Sequence, residues 1–277
     1  MKTLRSTFLY IILLAVMISC SKVPITGRSQ LNLLPESQML ALSNTQYNEF
    51  LSQNQVVSTN NSQTEMVKRV GNNIRVAVER FLKEQGHEEL IADYAWEFNL
   101  VQDNTVNAWC MPGGKVVVYT GIMPIAQTDD GLATVMGHEI AHAVARHGNE
   151  RMSQGLVAEL GGTALQVAIA DKPAQTQQLF NTAYGLGAQY GVLLPFGRTQ
   201  ETEADRLGTI FMALAGYDPA ASISFWQRMA QNAGGSAPPE FLSTHPSNET
   251  RINNLKNKFV PEAQKYTQKH EEMVVQK

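Results

Sequence analysis

The sequence predicts an α+β fold, mainly α-helical, with one small antiparallel or mixed β-sheet beside a helix that carries metal-ligand spacing. Three observations lead there. Apolar residues recur at helical period over several long stretches, only three runs read as strands, and those three lie together between Trp96 and Thr120, directly before the helix in question.

Taken in order, Lys2 and Arg5 precede an apolar run from Phe8 to Ile18 that is too short and wrongly flanked for a stable membrane span. Residues 1–19 therefore read as a targeting segment. It ends Met17-Ile18-Ser19-Cys20, which resembles a bacterial lipoprotein signal with Cys20 as the acylated first residue of the mature chain. Lipid on Cys20 would hold the protein to a membrane surface with no spanning helix. Residues 20–34, with Pro24 and Gly27, read as an irregular lipidated tether. A single domain is expected over residues 35–260, and residues 261–277 read as a polar, partly ordered tail.

Within the domain, Pro35 opens a helix over Glu36–Leu51, and a Ser/Asn/Gln-rich break spans Ser52–Ser62. Thr64–Gln85 is a second helix, with Met66, Val67, Val70, Ile74, Ala77, Val78 and Phe81 on one face. Strands are expected at Trp96–Val101, Val106–Met111 and Lys115–Thr120, with Pro112-Gly113-Gly114 turning the second into the third. Thr128 or Asp129 caps the next helix, Leu132, Val135, Met136, Ile140 and Val144 give it an apolar stripe, and Gly148 is its expected stop. Gly155–Ala170 is apolar but interrupted by Glu159, and reads as a core or helix-hairpin segment. Gln175–Tyr190 is its expected antiparallel return.

Composition narrows the function. Removing residues 1–19 takes away two basic and no acidic residues, leaving 20 Lys+Arg against 25 Asp+Glu and no basic patch, so nucleic acid is not an expected partner. With only Cys20 and Cys110 present, lipid on Cys20 would leave no intrachain disulfide, and Cys110 reads as a small core residue.

The chemistry centres on His138-Glu139-Ile140-Ala141-His142. Two histidines four apart on a helix lie about 40° apart around the axis and one turn apart along it, so both rings can reach one ion. Zinc accepts imidazole nitrogen, and a catalytic site keeps one position open for water, whose proton Glu139 can accept. A third donor is needed. Glu201, in a helix expected from Thr199 to before Gly216, is the candidate, with Asp205 one turn further on the same face, placed to accept the spare N–H of a ligating imidazole. Glu203 points elsewhere and reads as a solvated carboxylate. The Gly234-Gly235-Ser236-Ala237-Pro238-Pro239 run reads as a loop, with a mobile lid as the functional alternative.

These motifs, with Arg146-His147-Gly148, Glu201-Thr202-Glu203-Ala204-Asp205-Arg206-Leu207-Gly208, Pro24-Ile25-Thr26-Gly27-Arg28, Asn107-Ala108-Trp109-Cys110-Met111-Pro112-Gly113-Gly114 and Ser243-Thr244-His245-Pro246 with Arg251, resemble a family of zinc metallopeptidases. It is the gluzincin family of CAAX prenyl endopeptidases, HtpX and BepA, and the likeness is strongest to its bacterial lipoprotein branch without transmembrane helices. The resemblance runs from about Pro24 to Leu255. It implies a zincin-like domain with one Zn2+ per chain, His138, His142 and Glu201 as ligands, Glu139 as general base and Asp205 as the carboxylate behind a ligand. It further implies that Asn107 and Ala108 lie on an edge strand holding substrate backbone, and that His245 stabilises an oxyanion or, in a closed form, sits over the zinc. Trp109 and Cys110 depart from the Phe and Ala common at those positions.

The implied function is an endopeptidase acting on exported or membrane-associated proteins, located at the outer membrane and facing the periplasm. Protein or peptide substrates and the membrane are the expected partners; the sequence does not fix an oligomeric state. A largely latent chaperone is the alternative. A structural zinc scaffold is disfavoured, because such sites usually close with cysteine.

Overall fold

The computed structural model describes residues 20–23, 25–170, 174, 177–178, 194–232, 241–242, 245 and 249–275. The targeting segment, Pro24, the Gly234–Pro239 run, Ser243, Thr244 and Pro246 lie outside the described residues, as does nearly all of the return expected over Gln175–Tyr190. Contacts group the chain into two units, one formed by residues up to Met39 with Arg146–Thr199, the other by Leu40–Ala145 with Gln200 onward.

In the first unit, strands β1 (Cys20–Lys22) and β2 (Ser29–Leu31) pair antiparallel, with Cys20 opposite Leu31. This stretch was expected to be irregular. Gly27, at φ 69°, and Ile25, also at positive φ, close the turn, and Asn32 Nδ2 donates to Ser21 Oγ at 2.7 Å. The hairpin is seated on the helix His147–Ile169 (α4). Arg28 forks onto Glu150 at 2.7 and 2.8 Å, Leu33 N–H donates to Ser153 Oγ at 2.9 Å, and Asn149 Nδ2 donates to Leu34 O at 2.8 Å. Glu150 is buried, and that fork satisfies both of its oxygens.

The second unit is built on a helix–sheet–helix sandwich. Helix α1 (Glu36–Gln53) enters it from the first unit's sequence, and α2 (Ser62–Glu84) follows, capped by Asn61, whose side chain accepts from Gln63 N. The apolar face of α2, including Val67, Val70, Ile74, Val78 and Phe81, is buried against strand β3 (Glu97–Val101) and helix α3 (Asp129–Val144). Gly71 lets α2 approach closely: a Cβ there would stand 2.4 Å from the Phe98 ring.

The sheet order is β3–β5–β4, with β5 (Lys115–Tyr119) central, parallel to β3 and antiparallel to β4 (Ala108–Met111). It is thus a mixed sheet. Met111 pairs with Lys115 across Pro112-Gly113-Gly114, and both glycines hold positive φ, at 87° and 77°. Central β5 is buried at every position, whereas β4 is an edge, with Trp109 turned against Tyr47 and Phe50.

Helix α3 begins where Thr128 accepts from Gly131 N, and every residue from Gly131 to Val144 is buried. An amphipathic helix was expected. Burial on all sides instead follows from packing α2, β4 and helix α6 (Ala221–Asn232) around it. Nor does the helix run on to Gly148. Arg146 adopts a left-handed φ of 57°, which ends α3 at Val144 and starts α4 at His147. Helix α5 (Leu194–Leu214) crosses α3 where Gly208 meets Gly137; a Cβ on Gly208 would lie 2.8 Å from His138 N. The chain closes with α7 (Glu249–Asn254), a π-helical turn at Leu255–Phe259 and α8 (Val260–Val275). Residues after Pro261, expected as a partly ordered tail, are helical through Val275; α7, the π-helical turn and α8 follow one another without a break, so Pro261 lies inside a continuous helix just past the π-helical turn.

Candidate metal centre

Two turns of α3 and two of α5 supply most of the centre. The 3.6-residue period stacks His138 above His142 and Glu201 above Asp205, and the Gly137–Gly208 crossing brings the two pairs face to face. His245 joins them from a turn whose N–H donates to Phe241 O at 2.8 Å.

The donor atoms converge. His138 Nε2 stands 3.1 Å from His142 Nε2, 3.1 Å from His245 Nδ1 and 3.3 Å from Glu201 Oε2. Glu201 Oε1 is 3.2 Å from His142 Nε2, and Oε2 is 2.9 Å from His245 Nδ1. All four residues offer an atom within 4.8 Å of the others. Around a tetrahedral zinc with bonds of roughly 2.0–2.1 Å, neighbouring donors stand roughly 3.3–3.4 Å apart. The donors therefore fit a single ion, and three imidazoles with a carboxylate form a set suited to a borderline divalent metal.

Supporting groups surround this set. Asp205 Oδ1 is 3.0 Å from His138 Nδ1, the ring nitrogen turned away from the other donors. Glu139, 4% exposed, extends from α3 with Oε1 3.5 Å from His245 Nε2. His245 thus presents one nitrogen to the donor cluster and the other to Glu139.

Electrostatics follow from burial and contact. Burial disfavours a charged His138, yet its hydrogen bonds to Asp205 and Glu201 prevail and raise its pKa to about 9. Burial alone would raise Glu201. The neighbouring His142 and hydrogen bonds from His138, His142 and His245 prevail and hold it well below the usual carboxylate range. A carboxylate that stays ionised beside imidazoles is prepared for a cation, which competes with protons for the same nitrogens.

Asn107 and Ala108 lie at the start of the sheet's edge strand, beside Val106, whose carbonyl accepts from Phe241 N at 3.1 Å. Asn107 Oδ1 accepts from Ala108 N at 2.9 Å, its carbonyl accepts from Tyr119 N at 3.1 Å, and Ala108 is buried opposite Val118 on the strand that packs against α3. Cys110, two residues on, is partly exposed; burial and then the charge of Glu139 push its thiol well above its usual pKa. Glu203, expected to be solvated, is 6% exposed, because α5 is covered on that side as well. Cys20 is placed by its backbone in β1.

Two contributors had no role assigned from the sequence. Arg251 is buried, donates from Nη2 to Asp205 Oδ1, places Nη1 3.5 Å from Glu201 Oε2 and 3.3 Å from the His245 carbonyl, and stacks 3.3 Å above the Trp226 ring centroid. Trp226 in turn meets His138 edge-on at 5.7 Å. An arginine whose partners lie 46 and 113 residues away leaves no local periodicity to find; only the shared motif with His245 marked it.

A buried helix bearing His-Glu-x-x-His beside a three-stranded mixed sheet, met by a carboxylate from a later helix, defines a zincin-like α+β domain. Residues 70–258 match peptidase family M48. The chain belongs to that family. It is 39% identical over 176 residues to the mitochondrial metalloendopeptidase OMA1 of Schizosaccharomyces pombe, covering 63% of this chain and 49% of the relative. The Saccharomyces cerevisiae protein of the same name is 34% identical over 256 residues, covering 87% of this chain and 69% of the relative. The beta-barrel assembly-enhancing protease of Yersinia pestis is 33% identical over 167 residues, covering 59% and 34%. Against most such relatives the chain spans half their length or less.

Proposed function

We propose that the chain is a zinc-dependent metalloendopeptidase that cleaves exported or membrane-associated proteins, as a lipoprotein anchored through Cys20 at the outer membrane and serving envelope protein quality control. The observation that carries the catalytic part is the convergence of His138 Nε2, His142 Nε2 and Glu201 at separations suited to one ion, with Glu139 alongside. Family membership supports the activity, and the residue roles rest on the geometry.

His138, His142 and Glu201 would hold the zinc, which when bound supplies Lewis acidity toward the scissile carbonyl and toward water. Glu139 takes the proton of the attacking water and delivers it to the leaving amine. His245 donates toward the developing oxyanion, and Arg251 steadies the chain that carries His245. Asp205 accepts from His138 Nδ1 and so keeps Nε2 directed inward. Asn107, Ala108 and the edge strand β4 align an extended substrate by strand addition. Hydrolysis then needs no covalent enzyme intermediate.

The second reading, a largely latent peptidase acting as a chaperone or assembly factor, is favoured by one feature: His245 Nδ1 stands in the position of a fourth donor, 2.9 Å from Glu201. A site with four protein donors leaves no place for water. Casein cleavage by the zinc-loaded protein, set beside Glu139→Gln and a chelated sample, tests both readings. Cleavage by the parent that is lost in both controls is expected. Equal cleavage by Glu139→Gln would overturn the mechanism, and client binding that persists without zinc or cleavage would favour the chaperone.

A further inference from the structure

The described residues expose seven large apolar side chains, and four of them, Met152, Leu156, Val157 and Leu160, fall within nine residues of α4. Their placement is ordered. At 100° per residue, Asn149, Glu150 and Ser153 share one face of α4, and these are the residues that seat the N-terminal hairpin. Leu156, Val157 and Leu160 lie within about 60° of Ser153 around the axis, so they continue that face one to two turns beyond the hairpin. Leu160 is 60% exposed, and Ala164 extends the same line. Arg151 lies on the opposite side, Met152 falls outside the face at about 100° from Ser153, and Glu159 borders it about 60° beyond Leu156; the charge within the face, Glu150, is matched by Arg28.

The geometry points to a phospholipid surface as the partner of this face, with Leu156, Val157 and Leu160 seated in the headgroup layer. The inference rests on the reading of Cys20 as the lipidated residue. Cys20 pairs with Leu31, and Leu33 bonds Ser153, so the Cys20 backbone lies within about 12 Å of Ser153, allowing ~5 Å between strands and ~3.4 Å per residue along them. Leu160 is about 10 Å further along the helix. Acyl chains carried on Cys20 therefore bring a bilayer to within about 20 Å of this apolar face.

No described helix is long and apolar enough to cross a membrane, so α4 would lie on the surface rather than span it. A second protein copy is the weaker occupant. Three or four partly exposed side chains offer far less than the ~800 Å² per partner of a stable interface. Lipid supplies the attachment, and the α4 face fixes how the first unit is turned against the membrane.

The test places an NBD label on Leu160→Cys in the mature lipidated protein, in a Cys110→Ala background, with vesicles of phosphatidylethanolamine and phosphatidylglycerol. Gly155→Cys, on the opposite side of α4 with open space around it, serves as reference. Thermal melting matched to the parent shows that each variant is folded. The expected result is a blue shift and quenching by nitroxide-bearing lipids at position 160 and neither at 155. An unshifted, unquenched label at 160, with an acylated Cys20 shown by mass spectrometry, overturns the docking and leaves the anchor standing. An unmodified Cys20 overturns the anchor reading and this placement with it. A shift at 160 that follows protein concentration without vesicles assigns the face to a second copy instead.

Discussion

Asp205 illustrates how much of the centre depends on residues that touch no ion. It receives both His138 Nδ1 and Arg251, so replacing its carboxylate by an amide changes the partner of a proposed ligand and strands a buried guanidinium at once. Asp205→Asn is expected to weaken zinc binding by roughly 10–100-fold while leaving three or four donors in place, measured by competition with a chromophoric chelator. Unchanged affinity would show that His138 keeps its orientation without it. At this scale the sequence was informative where spacing alone sets geometry: His138 with His142 on α3, and Glu201 with Asp205 on α5, are i, i+4 pairs. It was silent where contacts are long-range. The burial of Glu203 and the stacking of Arg251 on Trp226 depend on which elements pack together, and no local pattern encodes that.

Between elements, the decisive contact is the crossing of α3 and α5. A Cβ on Gly208 would meet His138 N at 2.8 Å and Gly137 C at 2.9 Å, both rigid backbone. Gly208→Ala must push the helices apart, and with them Glu201 from the histidines. The expected cost is about 1–3 kcal/mol in chemical denaturation, accompanied by loss of stoichiometric zinc. A variant that is destabilised yet binds one zinc with parental affinity would show that the donors do not depend on this approach. Helix and strand positions followed closely from periodicity, since β3, β4 and β5 each fall inside their expected runs. Boundaries set by backbone conformation did not. A left-handed arginine at position 146 gives no compositional warning, and neither does a helix that runs through Pro261 by way of a π-helical turn.

For the whole molecule, a ligand that binds only the folded chain adds its binding free energy to stability. Zinc present at a hundred times its dissociation constant contributes about 2.7 kcal/mol. For a chain of this size that corresponds to a fall of about 5–10 °C in Tm on chelation, read by calorimetry and restored by adding zinc back. An unchanged Tm would mean that the site binds no ion under those conditions.

The complete burial of α3 bears on traffic as well as on shape. Fourteen consecutive buried residues leave that helix no frayed turn through which an ion could pass, and His138 and His142 keep side-chain exposures of only 2% and 6%. Glu201 and His245, at 13% and 8%, are where water comes closest to the donors. The expectation is that loading and release of an ion run past His245. His245→Ala should speed exchange of bound zinc for an isotope-labelled pool while the amide protons of α3 exchange as slowly as before. Equal acceleration of both would place the route through unfolding of the helix.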